Sequence, residues 1–242
     1  MYDMKKLFII KAGSTHASTV AMLGDFEEWI VAGLGVDRSM VEIVDAAGGA
    51  PLPPVDRIAG AVVTGSHAMV TDNLPWSIAI ERWIIGLIDA GAPYLGICYG
   101  HQLLGRAAGG EVGYHPGGRE VGMVQVRLTE EAMADPLFSG LPECFAAHAT
   151  HAQSVLKLPP DAVRLAGNPF EPNHAFCVGK CAWGVQFHPE YSAGVMKAYI
   201  EAQRGHLEKE CRSVEGMLAT VGETPDARML LRNFATLACQ SN

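Results

Sequence analysis

The stretch YLGICYGHQLLG, residues 94–105, decides the fold. With Pro93 before it, PYLGI (93–97) is a short apolar run of the kind that forms a buried strand. Cys98 ends that run, Gly100 follows two residues later, and a helical pattern occupies 99–108. Gly96-Ile97-Cys98-Tyr99-Gly100 is thus a G-x-C-x-G turn from strand to helix, the cysteine form of the G-x-S-x-G nucleophile elbow. The glycines permit a tight turn with crowded backbone. Such an elbow lifts the sulfur at the carboxyl end of a parallel sheet, where open α/β folds bind ligands. The positive end of the next helix favours a thiolate. The Tyr99 backbone N–H is placed to help hold an oxyanion. By itself the pentapeptide fits a buried structural cysteine equally well.

Working outward, the same strand pattern recurs in KKLFIIKAG (5–13), MVEIVDA (40–46) and AVVTGSH (61–67). Helical patterns lie between these runs. Val20, Leu23, Trp29, Ile30 and Leu34 predict a helix within 14–35. Pro75 suits a first helical turn, and Trp76, Ile80, Trp83, Ile84, Leu87 and Ile88 recur at the spacing of one packing face. Strand alternating with helix predicts an α/β fold: a doubly wound three-layer sandwich with a mainly parallel sheet, flavodoxin-like in its layering. Further strands are expected at 121–129, 162–167 and 181–190, as hairpins or a meander covering one end of the sheet. From Ser192 the pattern is helical, with breaks expected at Gly205, Gly222 and Pro225. No linker divides the chain, so 1–192 is read as one domain and 193–242 as a helical extension packed on it.

Bulk properties exclude several classes. The 242 residues carry a formal charge of −8 and no basic cluster, which argues against nucleic acid as a partner. No apolar run reaches the ~18 residues of a membrane span. The beginning, MYDMKKLFIIKAG, reads as a first strand and not as a signal peptide. Six cysteines in a chain of this size do not make a disulfide scaffold, and a reducing cytoplasm is the expected compartment. Neither phosphate-binding glycine motif, G-x-x-x-x-G-K-[ST] or G-x-G-x-x-G after a strand, is present.

A cysteine nucleophile needs a base and an orienter. Among nine histidines, His188 stands out because it ends a strand pattern in VQFHPEYS. In extended chain, residues i and i+2 project to one side. Pro189 keeps His188 extended and stiffens the link to Glu190. The Glu190 carboxylate can then hold one imidazole nitrogen and leave the other facing Cys98, which is the logic of a triad. His174, Cys177, Cys181 and His188 form H-x2-C-x3-C-x6-H, which is not a standard zinc spacing, so no metal is expected. His101 and His115 receive no role, and Trp76 and Trp83 read as core or interface.

These pieces resemble the class I glutamine amidotransferases of the triad type over roughly the first 190 residues. VVTGSH, GICYGHQLLGRAAGG, HATHAQSVLKLP and GVQFHPE stand in the family's order, and the arrangement looks closest to the glutaminase portion of GMP synthases and their free-standing relatives. The resemblance implies that Cys98 attacks the side-chain amide of glutamine, that His188 shuttles the proton and that Glu190 orients it. It implies a second oxyanion donor at Gly65, a substrate contact at Gln102, and a wall for the substrate's α-groups at Thr150, His151, Ala152 and Gln153. No cofactor is implied. The partners implied are glutamine or another γ-glutamyl amide and a separate synthase subunit; a homo-oligomer is compatible with it. Two departures stand out. The oxyanion turn is Thr64-Gly65-Ser66-His67 where the family commonly has Gly-Gly-Pro, and ATHAQSV replaces the usual Ser-His-Gly-Asp. The missing acidic residue loosens the expectation of a strict preference for free glutamine. The alternatives are a stand-alone hydrolase of γ-glutamyl peptides or conjugates and, in another class, a non-catalytic regulatory binding protein.

Overall fold

The computed structural model describes residues 5–240. Residues 1–4 and 241–242, the ends of the two spans assigned above, lie outside the described residues. The first half runs β1 (Lys6–Lys11), α1 (Ala17–Leu23), α2 (Phe26–Leu34), β2 (Val41–Asp45), β3 (Ile58–Val63), α3 (Pro75–Ala90), β4 (Tyr94–Ile97) and α4 (Tyr99–Ala107). The second half adds β5 (Glu111–Tyr114), β6 (Glu120–Leu128), β7 (Cys144–His151), β8 (Gln153–Lys157), β9 (Ala162–Gly167), β10 (Ala175–Val178) and β11 (Ala182–Val185). It ends in α5 (Ala193–Ala202), α6 (Arg204–Lys209), α7 (Val214–Thr220) and α8 (Pro225–Gln240). No helix among the described residues is long and apolar enough to cross a membrane.

One nine-stranded sheet has the order β2-β1-β3-β4-β11-β10-β9-β6-β7, and β5 pairs with β8 in a separate ribbon. The strands from β2 to β11 run parallel, and those beyond β11 alternate in direction. The inner parallel strands β3, β4 and β11 are buried at every position, as strands covered on both sides must be. In β1 the two-residue period sorts the side chains: Leu7 and Ile9 enter a core with α2 and α8, Phe8 and Ile10 a core with α3 and α4. A third cluster joins Phe26 and Trp29 to Tyr191 and to Val195, Tyr199 and Leu207 of the C-terminal helices. The mainly parallel α/β sandwich expected from the sequence is the architecture observed.

Four local expectations differ from what is found. The helix within 14–35 is two helices, because Gly24 turns at φ 84° and Asp25 starts a new one. Asp25 caps the Phe26 N–H at 2.8 Å, and Glu28 accepts from the Asp25 N–H at 3.2 Å, a reciprocal capping box. The later strands lengthen the sheet instead of covering its end, since β10 pairs with the free edge of β11. The strand within 181–190 stops at Val185, after which the chain leaves the ladder. The break placed at Gly205 falls at Gln203, and Gly205 lies inside α6.

Candidate active site

The elbow is built by crowding. Cys98 sits at φ 50° and ψ −94°, a left-handed backbone that non-glycine residues rarely hold. Its N–H donates to the Val185 carbonyl at 2.8 Å and its carbonyl accepts from the Gln102 N–H at 3.1 Å, so the conformation is fixed from both sides. A Cβ on Gly100 would lie 2.5 Å from the Val63 carbonyl oxygen, and one on Gly96 would collide with the Gly100 backbone. Only glycine lets α4 cross this close to β3 and β4. The Tyr94 hydroxyl donates to the Gly100 carbonyl at 2.9 Å, and Tyr99 donates to Ser77 Oγ at 2.8 Å.

β11 lies parallel beside β4, with Gly184 opposite Gly96 and Val185 opposite Ile97. The chain leaving β11 therefore emerges beside Cys98. Three residues on, the His188 N–H donates to the His148 carbonyl at 2.7 Å, which ties this segment to β7. His188 Nδ1 is 2.8 Å from Glu190 Oε1, and both residues are buried. His188 Nε2 is buried without a hydrogen-bond partner. Burial alone would lower the imidazole pKa, but the charges of Glu190 and Cys98 outweigh it and push it up to about 10. The ring stacks on Tyr191 at 4.0 Å and on Phe26 at 6.5 Å. The capping box of α2 thus sets the aromatic backing of His188.

A cavity of about 320 Å³ opens over the sulfur, near the low end of the usual range for small-ligand sites. It brings together Cys98, Tyr99, Gln102, Thr150, His151, Ala152, Gln153 and His188 from the sequence reading. Glu190 stands behind His188. Gly65 stands at the edge, where an added Cβ would come within 3.1 Å of His188 Cε1. Among the described residues, no group accepts from the backbone N–H groups of Gly65 and Tyr99. The Thr150 carbonyl is 3.9 Å from Cys98 Sγ. The side-chain amides of Gln102 and Gln153 are engaged within the protein. Gln102 Nε2 donates to the Gln153 carbonyl at 2.7 Å and to Gln186 Oε1 at 3.1 Å. Gln153 Oε1 accepts from the Val70 N–H at 3.0 Å, and its Nε2 donates to Thr71 Oγ1 at 2.6 Å. The histidine and cysteines weighed for zinc have other partners: His174 contacts Glu120 and Asn168, and Cys177 and Cys181 contact backbone carbonyls.

Sequence reasoning missed His16, His67, Arg119, Tyr191, Tyr199 and Gln203, which also line the cavity. His67 Nε2 lies 3.2 Å from the Tyr199 hydroxyl, and Thr15 Oγ1 donates to the same oxygen at 2.7 Å. Burial, followed by the nearby charges of His16 and His188, lowers the His67 pKa to about 4, so this ring is neutral at neutral pH. His67 ends the VVTGSH motif and Tyr191 follows HPE, so both stood in view of the sequence reading. Arg119, Tyr199 and Gln203 carry no local signal, because contacts across 84 residues and more bring them here.

A sequence model of the family "Glutamine amidotransferase class-I" matches residues 38–205. The chain is 33% identical over 190 residues to a glutamine-hydrolysing GMP synthase of Aeropyrum pernix, covering 78% of this chain and 33% of that protein. It therefore spans about a third of that relative's length. It is 27% identical over 201 residues to gamma-glutamyl peptidase 4 of Arabidopsis thaliana, covering 81% of this chain and 76% of the other. In fold it matches a glutamine amidotransferase of Thermotoga maritima, with a TM-score of 0.76 at 23% identity over 96% of this chain and 98% of that one. The chain belongs to the class-I glutamine amidotransferase family.

Proposed function

We propose, taking that membership as premise, that this chain is a cysteine hydrolase of γ-glutamyl amides, with the side-chain amide of glutamine as its leading substrate. The observation that carries the reading is the convergence of Cys98 and His188 on one cavity, with Glu190 behind the base. Cys98 is held in a strained turn, His188 has Nε2 free, and Glu190 is bonded to its Nδ1. In this reading the Cys98 thiolate attacks the amide carbon. The oxyanion forms against the N–H groups of Gly65 and Tyr99, which have no other acceptor among the described residues. His188 Nε2–H protonates the departing nitrogen, ammonia leaves, and a γ-glutamyl thioester remains. His188, now neutral, takes a proton from water; the hydroxide attacks the thioester carbon, and thiolate and glutamate separate. Gln102, Thr150, His151, Ala152 and Gln153 form the wall beside the glutamyl chain. Gln153 acts through shape, since both atoms of its amide are already bonded, while Gln102 keeps its Oε1 for the substrate.

The ammonia would pass to a separate synthase subunit, a reading supported by the glutamine-hydrolysing GMP synthase of which this chain spans a third. The compartment it calls for is the cytoplasm, where a thiolate stays reduced. We carry 1–192 as the glutaminase unit and 193–242 as an extension packed on it, supported by Leu230 and Phe234 sharing a core cluster with Leu7. A second reading, a stand-alone hydrolase of γ-glutamyl peptides or conjugates, is favoured by one feature of the cavity: among the described residues, no aspartate or glutamate lines it. Relatives named gamma-glutamyl peptidases stand on the same side.

The test is glutamate release from glutamine, glutathione and γ-glutamyl dipeptides, with Cys98→Ala as control. At least one substrate should lose about 10⁴-fold in kcat/KM on that substitution. Full activity in Cys98→Ala would sink the mechanism. Cys98-dependent release from peptides but not from glutamine would select the second reading.

A further inference from the structure

The wall of the cavity is chemically one-sided. Among the described residues its lining includes one guanidinium, Arg119, no lysine and no carboxylate, and the cationic His188 is already paired with Glu190. The chain as a whole carries −8, so this local positive site stands against the charge of the molecule. We propose that Arg119 is the carboxylate anchor of the cavity, a specificity-determining residue that Gln203 holds in place to select substrates presenting a carboxylate. The proposal rests on the γ-glutamyl reading of the cavity and adds to it the charge that the substrate must bring.

Three observations carry it. First, the guanidinium is not neutralised. Its sequence neighbour Glu120 turns inward: Oε2 accepts from His151 Nε2 at 3.0 Å and His174 Nε2 at 3.1 Å, and Oε1 from Asn168 Nδ2 at 2.8 Å. Among the described residues, no carboxylate pairs with Arg119. Second, the residue is held at both ends. Its guanidinium Nη1 donates to Gln203 Oε1 at 3.2 Å, and its backbone carbonyl accepts from Arg212 Nη1 at 3.3 Å. One of five N–H donors is used, which leaves enough for a two-point grip on a carboxylate. Third, the support runs to the sulfur. Gln203 Nε2 donates to Thr150 Oγ1 at 3.0 Å, and the Thr150 carbonyl is the group 3.9 Å from Cys98 Sγ. A carboxylate on Arg119 is thereby registered against the reacting atom. His67, neutral at neutral pH, does not compete for it. With no acid in the wall to pair an α-ammonium, the cavity discriminates on the acid group of its ligand and not on the amine.

A γ-glutamyl compound offers two such groups, the α-carboxylate of the glutamyl unit and, in a peptide, the far C-terminal carboxylate. Two ligand pairs separate them: glutamine against its α-amide, and γ-glutamylglycine against γ-glutamylglycinamide. Binding is measured by ligand-observed NMR titration on full-length Cys98→Ala protein, so that hydrolysis does not enter. In one pair the carboxylate form should bind roughly tenfold tighter or more. In Arg119→Gln that ratio should fall to about one, and Arg119→Lys, which keeps the charge but not the fork, should fall between. The pair that responds identifies the carboxylate. Equal binding within both pairs, or a ratio that survives Arg119→Gln, overturns the proposal. If Arg119→Gln loses the fold by circular dichroism, Arg119→Lys decides: an undiminished ratio there overturns the anchor and a diminished one supports it. Failure of the mechanism reads differently: carboxylate-dependent binding with no Cys98-dependent hydrolysis leaves the anchor and removes the hydrolase, and the reverse result removes the anchor alone.

Discussion

The parallel half of the sheet, β2-β1-β3-β4-β11, delivers Cys98 through backbone geometry, whereas the antiparallel half, β10-β9-β6-β7, delivers its part of the cavity through side chains. In the first, a strained residue and two glycines under a crossing helix aim one atom. In the second, β6 and β7 present Glu120, Thr150 and His151, whose partners come from the loop at Asn168, from His174 and from α5–α6. Backbone geometry tolerates almost no substitution. A network of side chains spreads its energy over several contacts and loses it piecemeal.

The two halves meet at His188, which follows the last parallel strand and bonds to β7. Breaking this seam should have the largest effect. Glu190→Gln keeps shape but removes the charge that, with Cys98, holds the imidazole at about 10 despite burial. We expect kcat/KM to fall by roughly 10²–10⁴-fold, no more than for Cys98→Ala. The sign of the pH effect follows. A folded pKa raised above 6.5 contributes stability that is fully present below 6.5 and lost as pH rises through about 10. Without Glu190 the imidazolium is lost at lower pH, so the alkaline limb of kcat/KM and the alkaline loss of Tm should both move down. A limb that stays in place would mean that Glu190 does not set the charge of His188.

Next in size is the elbow itself. Gly100→Ala puts a methyl 2.5 Å from the Val63 carbonyl oxygen, where backbone cannot give. Urea unfolding should register a loss of about 1–3 kcal/mol or more. Displacing the sulfur by a fraction of an ångström should lower kcat/KM by about 100-fold. If Gly100→Ala is destabilised yet fully active, crowding fixes the fold but not the aim of the nucleophile.

The same contrast explains what could be read from the sequence. The parallel sandwich, the elbow and the His188–Glu190 pair rest on short-range rules: apolar runs, a five-residue turn, an i,i+2 relation. Those rules act within a few residues and leave a visible pattern. β11 ends at Val185 earlier than alternation suggests. The chain beyond it turns to β7, where the His188 N–H bonds to the His148 carbonyl, a long-range contact that leaves no local pattern. Arg119 and Gln203 meet across 84 residues, so neither segment alone marks the site. The split at Gly24 and Asp25 was legible in principle, since Asp25 and Glu28 stand in capping-box spacing. The apolar spacing of Val20 and Leu23 masked it, yet both are exposed.

The smallest effect belongs to the antiparallel network. Burial would raise the Glu120 carboxyl, but hydrogen bonds from His151 and His174 hold it well below the usual carboxylate range. Glu120→Gln replaces an acceptor for three donors with a neutral amide. Because the group is buried, the loss should be about 1–3 kcal/mol at neutral pH, measured as urea stability. A depressed folded pKa contributes stability that is present above 4.5 and lost as pH falls below it. The gap between the native protein and Glu120→Gln should therefore close on acidification below 4.5, the opposite end of the pH scale from the Glu190→Gln effect. Turnover at neutral pH should fall less than about tenfold, since the sulfur, the base and the Gly65 turn are untouched. A loss as large as that of Gly100→Ala would collapse the contrast between the halves, because it would mean that His151 aims the substrate as tightly as the elbow aims the sulfur.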